Sequence, residues 1–461
     1  MQQKRPPVAR NDDIILEIDA LGAEGEGIGR VDGYAVFVPG ALPGERVQAH
    51  VIKVTSGYGV AKLLEVLAPA QERVTPPCAI FDKCGGCTLQ HLDYQAQLAY
   101  KRKVVEDALA RLGGLKDITV PSVIGMDEPW QYRNKGSFPF AEIEGRVQAG
   151  FFAPRSHRLV PTEDCLIQKE SGLLAMLAVR DWANAYGVSA YDEQTGKGLI
   201  RHVVTRASAN GEVMAVLVAT SASIPEKQAL IETLRGRVDG LKSVYLNIQK
   251  GQTNVILGTD YRLLWGEPYI TETLCGLSFS ISPASFLQVN PVQTEKLYQK
   301  ALEFLALTGG ERVVDAYCGI GTITLLLAKH AKEVVGIENV PEAVEDAKRN
   351  AEQNGIKNAR FLCAPAEEAL PKLLADGFKP DALVLDPPRK GAEEAFLRAV
   401  IESGVQRVVY ISCNPATLAR DCKILSEGGY HVEAVQPFDL FPQTAHVETI
   451  IMMTNCGRDK K

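Results

Sequence analysis

The sequence predicts an α/β protein in three parts: an OB-like β-barrel over residues 8–68, a central α+β domain over 75–280, and a Rossmann-like doubly wound domain over 281–461. Three observations carry this. Residues 8–68 alternate apolar and polar positions between glycine turns, the pattern of short strands in a small barrel. Proline breaks at Pro69 and Pro76-Pro77 and a cysteine-rich irregular stretch then interrupt the pattern. From about residue 280 apolar runs alternate with helical spacing, as in a mostly parallel sheet covered on both faces. A chain of 461 residues is also too long for one ordinary core.

In the first part, Ile14–Ile18, Tyr34–Val38, Arg46–Val54 and Ala61–Val66 each fit a strand. Next come Cys78, Cys84 and Cys87, with five and two residues between them, in a loop that Pro76, Pro77, Gly85 and Gly86 keep irregular. One loop with that spacing wraps a metal or cluster, and Cys165 is the best fourth ligand. Four thiolates suit structural zinc and a 4Fe-4S cluster alike. Residues 91–112 have helical spacing, with Leu98, Val105, Leu109 and Leu112 near one face and Lys101, Arg102 and Lys103 expected in solvent. That helix is expected to pack on the catalytic domain. Residues 130–160 interleave Trp130, Tyr132, Phe138, Phe140, Phe151 and Phe152 with Arg133, Lys135, Arg146, Arg155, His157 and Arg158. Such a mixture suits single-stranded RNA, although a strand-rich core explains many of the rings equally. Strand-like runs at Val213–Ala219 and Ser243–Asn247, with a helical stretch near 225–235, continue the α+β domain.

The doubly wound part offers strands at Val313–Ala316, Val334–Glu338, Ala359–Cys363, Ala382–Asp386, Arg407–Ser412, Val432–Gln436 and His446–Met452. Its first strand runs into Asp315-Ala316-Tyr317-Cys318-Gly319-Ile320-Gly321, a strand, tight turn and helix start. Glycines let the backbone approach a ligand there, and the helix start offers free N–H groups. The pattern is not the G-x-G-x-x-G dinucleotide fingerprint. Glu338 ends the next strand, where doubly wound folds place the acid that binds ribose hydroxyls, and the pair points to S-adenosylmethionine. Asp386-Pro387-Pro388-Arg389 holds an acid and a base rigidly at the rim beyond a strand. Ser412-Cys413-Asn414-Pro415 puts a thiol at the same rim, and Glu448 opens an otherwise apolar terminal strand, where a carboxylate needs a reason to be.

Composition limits the alternatives. A hydrophobic share of 46% and a charged share of 23% are those of a globular protein. No apolar run reaches membrane-spanning length, and Met1–Pro6 lacks the core of a signal peptide, so a cytoplasmic protein is expected. The ten cysteines, Cys456 included, are then read as ligands, nucleophiles or buried apolar residues rather than disulfides. A formal net charge of −6 gives no support for nucleic-acid binding, which would have to use a local basic patch.

Taken together, Ser285–Asn290, Asp315–Thr322, Asp386–Arg389, Ser412–Pro415, His446–Thr449 and Tyr132-Arg133-Asn134-Lys135 resemble the motif set of the RNA uracil-5-methyltransferases. The N-terminal barrel resembles their TRAM domain, and Cys78, Cys84, Cys87 and Cys165 resemble the 4Fe-4S ligands of members acting on 23S ribosomal RNA. Members acting on transfer RNA look different, lacking the barrel and the cluster. The resemblance implies a class I methyltransferase domain in which Cys413 is the nucleophile and Glu448 the base. It implies Gln288, Tyr317, Thr322, Glu338 and Asp386 as S-adenosylmethionine contacts, Thr322 standing where some members have Asn. Phe286, Arg133, Lys135 and Arg389 are expected at the RNA, and a monomer working on 23S rRNA or an assembling ribosomal particle is expected. A nitrogen methyltransferase would need neither Cys413 nor Glu448, and a non-catalytic RNA chaperone would be free to lose them.

Overall fold

The computed structural model describes residues 6–455; Cys456 lies outside them. Five strands, β1 (Asp13–Leu21), β2 (Gly27–Val31), β3 (Tyr34–Val38), β4 (Arg46–Val54) and β5 (Tyr58–Ala68), close a barrel in the order β1-β2-β3-β5-β4. Sequence reasoning finds four of them and passes over β2, whose glycines read as a turn. Gly29 is required there: a Cβ would lie 2.4 Å from the Glu17 carbonyl oxygen. The barrel is filled by Leu16, Ile18, Val36, Val38, Val47, Ala49, Val51 and Ala61.

Helix α1 (Tyr94–Arg111) follows the cysteine loop and is capped by Asp93, whose carboxylate accepts the Gln95 and Ala96 N–H groups. It buries Gln97, Tyr100, Lys101, Val105, Ala108 and Leu109, while Leu112 is exposed. Lys101 therefore contradicts the expectation of a solvated face. Its ammonium is fully buried 2.5 Å from Asp439 Oδ1 and also donates to the Phe441 carbonyl at 3.1 Å. Arg102 and Lys103 instead pair with Glu106 and Asp107 one turn on.

The central sheet has the order β12-β11-β10-β9-β6-β7-β8. Its strands are β6 (Lys135–Ile143), β7 (Arg146–Phe152), β8 (Leu159–Pro161), β9 (Ile200–Ala207), β10 (Val213–Ala219), β11 (Leu241–Ile248) and β12 (Asp260–Gly266). Helices α2 (Glu170–Ala185) and α3 (Lys227–Arg237) lie on one face, where Phe138, Phe140, Met176, Trp182 and Val203 share a core. Tyr132, Phe138 and Phe140 are therefore buried rather than free to stack on bases. The hairpin β13 (Ile270–Leu274) and β14 (Leu277–Ile281) joins this domain to the next through a core that Val204, Met214 and Val216 share with Phe279, Leu297 and Val313.

After α4 (Pro291–Leu305), a seven-stranded sheet runs β17-β16-β15-β18-β19-β21-β20. Its members are β15 (Arg312–Ala316), β16 (Glu333–Glu338), β17 (Ala359–Cys363), β18 (Ala382–Leu385), β19 (Arg407–Ser412), β20 (Tyr430–Phe438) and β21 (Glu448–Asn455). The first five are parallel, and β21 is antiparallel to both β19 and β20. Helices α5 (Thr322–Ala328), α6 (Pro341–Gln353), α7 (Ala366–Ala375), α8 (Glu394–Ser403) and α9 (Pro415–Glu427) cover the faces. Strand order reverses between β15 and β18, so the carboxyl ends of those strands open a crevice where such folds bind ligands. Helix α1 packs against α9 and β20. No helix among the described residues is long and apolar enough to cross a membrane.

Candidate active site

The crevice is a cavity of about 950 Å³ lined by Phe286, Gln288, Tyr317, Thr322, Glu338, Asp386, Arg389, Cys413 and Glu448. Nine residues singled out from six separate stretches of sequence thus meet in one space, where the strand ends carry them.

On one wall, β15 delivers Asp315 and the turn that follows. Tyr317 sits at φ 67° and Gly321 at φ 85°, left-handed conformations that fold the chain back so that α5 starts beside the cavity. Thr322, its first residue, lies 3.0 Å from the Tyr298 hydroxyl. Glu338 ends β16, and its carboxylate accepts from the Gly319 N–H at 3.0 Å and the Val340 N–H at 2.9 Å. It is thereby fixed against the turn. Asp315 is fully buried, with one oxygen 2.5 Å from Thr324 Oγ1 and the other without a partner among the described residues. Burial, with Asp386 and Glu338 nearby, pushes its carboxyl up to about 7.

On the other wall, Cys413 follows β19 and precedes the proline that starts α9. Ser412 accepts the Asn414 N–H at 3.1 Å, and Asn414 caps α9 by accepting from Ala416 N at 3.1 Å. Asn414 also donates to the Arg389 carbonyl at 3.0 Å, so the two rim loops are tied together. The Arg389 guanidinium faces the Cys413 thiol and lies 3.2 Å from His446 Nε2. Burial and the carboxyls of Glu448 and Asp386 push the thiol up to about 11, with Arg389 opposing. Glu448, opposite Phe438 in the sheet, is 1% exposed with one oxygen unpartnered among the described residues. Desolvation and Asp386 hold its carboxyl well above the ordinary range, again against Arg389. Burial pushes the Asp386 carboxyl up to about 7, with the neighbouring Gln288 side chain opposing. Two acids and a thiol of the lining, Asp386, Glu448 and Cys413, with Asp315 buried behind them, are thus biased towards their neutral forms, and one arginine faces two of them. A bound cation would relieve that bias.

Cys78, Cys84, Cys87 and Cys165 line a second cavity of about 250 Å³, together with Arg133, Ser137 and Phe81. Burial and repulsion between neighbouring thiolates push Cys87 up to about 12 and Cys165 up to about 11. Among the described residues, no group of three or more His, Cys, Asp or Glu side chains is arranged to hold a single metal ion. Lys135 lines neither cavity. It stands opposite Arg206 in the sheet, and burial plus Arg206 and Arg133 push its ammonium down to about 8. Arg155 and Arg158 are exposed on the loop after β7.

Sequence reasoning missed Tyr298 and Phe441 around the cavity, the contact of His446 with Arg389, and the buried carboxyl role of Asp315. It also missed Arg206, whose guanidinium donates to the Ser285 and Pro283 carbonyls. The signal for Arg206 was a charged residue in the strand-like run Ile200–Ala207, an ion where the pattern calls for apolar side chains.

Comparison with known proteins agrees with this geometry. Residues 232–456 match the family described as tRNA (Uracil-5-)-methyltransferase, and residues 14–64 match the TRAM domain. An uncharacterized RNA methyltransferase of Halalkalibacterium halodurans is 47% identical over 454 residues, 98% of this chain and 99% of that one. One of Clostridium tetani is 45% identical over 460 residues, 100% of both chains. Among solved structures, the Pyrococcus abyssi tRNA (uracil-54, C5)-methyltransferase in complex with S-adenosyl-L-homocysteine is 27% identical, with a TM-score of 0.78 over 95% of this chain and 99% of its own. A match over 95% of this chain must take in much of the barrel, which corrects the expectation that members acting on transfer RNA lack it. The folds, the motif-bearing cavity and relatives alike along the whole chain lead to one statement: this chain belongs to the RNA (uracil-5-)-methyltransferase family and carries a TRAM domain at its N-terminal end.

Proposed function

We propose that the protein transfers a methyl group from S-adenosylmethionine to carbon 5 of uridine in 23S ribosomal RNA. The observation that carries this is the single cavity in which Cys413, Glu448, Arg389 and Asp386 face the Tyr317–Thr322 turn and Glu338. A sulfonium suits its surplus of buried acid, Asp386 and Glu448 in the lining with Asp315 behind it, the last two each with an unpartnered oxygen. Gln288, Tyr317, Thr322, Glu338 and Asp386 would hold the cofactor, which supplies an electrophilic methyl group.

Carbon 5 of uracil is a poor nucleophile. The Cys413 thiolate adds to carbon 6 and turns the ring into an enolate, which splits one hard step into easier ones. Arg389, its positive charge beside the sulfur, favours the thiolate against burial. Once carbon 5 carries the methyl group, Glu448 takes its proton, the ring double bond re-forms and the thiolate leaves. A carboxyl raised by burial is the stronger base for that step. The uracil must leave any stack to reach Cys413, and Phe286, 67% exposed in the cavity, fills the gap. Arg133, Lys135 and Arg389 meet the RNA. The protein works as a monomer in the cytoplasm, on free rRNA or an assembling particle.

The four cysteines hold a 4Fe-4S cluster. Four thiols lining one cavity of about 250 Å³ fit zinc and a cluster alike in number, and the cluster is favoured by the resemblance to members acting on 23S ribosomal RNA. Anaerobically purified protein is expected to be brown and to contain iron and sulfide; colourless protein with one zinc per chain would refute the cluster.

The likeness to a solved tRNA (uracil-54, C5)-methyltransferase favours a second reading, uridine in transfer RNA. Mapping 5-methyluridine in ribosomal and transfer RNA from cells with and without the protein decides. Loss of a 23S site supports the first reading, loss confined to transfer RNA the second, and no loss in either overturns both.

A further inference from the structure

The segment 282–290 joins β14 to α4 and carries Phe286 and Gln288 into the cavity. Three distant parts of the chain hold it. From α6, Asp346 Oδ2 accepts from Ser282 Oγ at 3.0 Å and Ser285 Oγ at 2.8 Å. Just before β6, the Asn134 amide donates to the Gln288 carbonyl at 3.1 Å, and its backbone N–H donates to the Val289 carbonyl at 2.9 Å. From β9, Arg206 Nη2 donates to the Ser285 carbonyl and, at 3.4 Å, to the Pro283 carbonyl.

The third tether is chemically the odd one. Arg206 is 4% exposed, and its Nε has no partner among the described residues. Desolvation pushes its guanidinium down to about 10, offset in part by the Tyr261 phenol rather than by a carboxylate. An apolar side chain would fill that place at lower cost, because a buried cation without an acid is expensive. What an apolar side chain cannot do is grip two carbonyls. The Ser285 carbonyl and the Phe286 N–H belong to one planar peptide unit, so fixing the first fixes the Phe286 N–Cα bond and leaves rotation about it as the freedom between that grip and the side chain's direction. Phe286 can then stand in open space without collapsing onto the cavity wall.

We propose that Arg206 is a positioning residue of the methyl-transfer reaction, which holds Phe286 in its exposed pose by fixing the peptide unit before it. The inference rests on the uridine methylation proposed above. It also makes the central sheet, where Lys135 is the register partner of Arg206, part of the catalytic apparatus. Lysine is no substitute, since a point charge on a flexible stem lacks the planar fork that spans two acceptors.

Arg206→Lys and Arg206→Met are compared with wild type, with Phe286→Ala and with the double variants, using unmethylated RNA from cells lacking the protein. Both Arg206 variants are expected to keep S-adenosylhomocysteine affinity and RNA Kd within about twofold, while single-turnover methylation falls roughly 100-fold, the cost of a small misplacement at a reacting centre. Adding Phe286→Ala should then cost little more, since the pose is already lost. Additive losses, KM and kcat damaged alike, or full activity in a folded Arg206→Met protein would overturn the proposal. Unfolding of both variants would overturn it too, by making Arg206 a residue of general stability. Absence of any uridine methylation by the wild type counts instead against the proposed function.

Discussion

Cys413 and Glu448 face one space and share Arg389, yet they are assigned to opposite ends of the reaction, and that division is open to test. Cys413→Ala should abolish methylation and any covalent RNA adduct while sparing RNA binding. Glu448→Gln should still permit thiolate attack and methylation of carbon 5, then stall, because the proton cannot leave and the thiolate is not expelled. Denaturing electrophoresis with labelled RNA distinguishes them: a slow-migrating species is expected for Glu448→Gln alone. Its absence there, or 5-methyluridine made by Cys413→Ala, would reverse the roles. Asp386 gives a second test at this scale. Its folded carboxyl, near 7, lies above the ordinary value of 3.8, so the native state binds a proton that the unfolded chain has released. Stability is therefore lost as pH rises from about 4 to about 7, and the full penalty stands above that. Asp386→Asn should raise the Tm of the ligand-free protein at pH 8 by a few degrees, on the order of 1–2 kcal/mol. The gain should fade towards pH 4, while S-adenosylhomocysteine affinity falls at both. An equal gain at both pH values would show that the carboxyl is not perturbed. These residues were legible in the sequence because each follows or opens an apolar strand at a rim, where an ion or thiol stands out. Tyr298 and Phe441 were not, since an aromatic lining a cavity looks like any core ring.

Helix α1 is the element whose packing departs most from its sequence pattern. Spacing located it within three residues, because a 3.6-residue period survives whatever the helix packs against. Its faces were harder, because Lys101 reads as surface until Asp439, 338 residues away, is brought beside it. Tyr94 also donates to Asp439, at 2.9 Å, so the acid that leads into the 440–447 loop is held from two turns of one helix. A buried pair of this kind is weak evidence for stability, whereas breaking it strands a charge. Lys101→Met should destabilise the protein by about 3–5 kcal/mol, and Lys101→Met with Asp439→Leu should recover much of the loss. Chemical denaturation measures both, and equal losses in the single and double variants would mean that packing rather than charge decides. Strand β2 and helix α2 were illegible for different reasons. The glycines of β2 answer a close backbone approach that no local pattern announces, and α2 is so evenly apolar along Leu173–Val179 that period alone does not mark its face.

At the scale of the whole molecule, the net charge of −6 means that RNA must be held by local cations set against an unfavourable average. Arg133 and Lys135 stand between the cysteine cavity and the segment carrying Phe286, a position that no spacing in the sequence could convey because it depends on how the central sheet docks on the catalytic domain. Lys135 makes the arrangement measurable. Burial and the neighbouring Arg206 and Arg133 push its ammonium down to about 8 in the free protein, so around neutral pH it is close to losing its proton. A phosphate placed beside it would favour the charged form and move that value back up. RNA binding should then take up a proton between about pH 8 and pH 10, and affinity should fall as pH rises through that window. It should also fall steeply with salt as counterions are released from neutralised phosphates. Lys135→Met should bind more weakly at pH 7, lose the pH dependence and show a salt slope shallower by about one ion. The measurement is Kd by filter binding at pH 7 and pH 9 across a salt series, for wild type and variant. If wild-type Kd is the same at both pH values, or if Lys135→Met keeps the wild-type salt slope, no phosphate sits beside Lys135 and the RNA path must be drawn elsewhere.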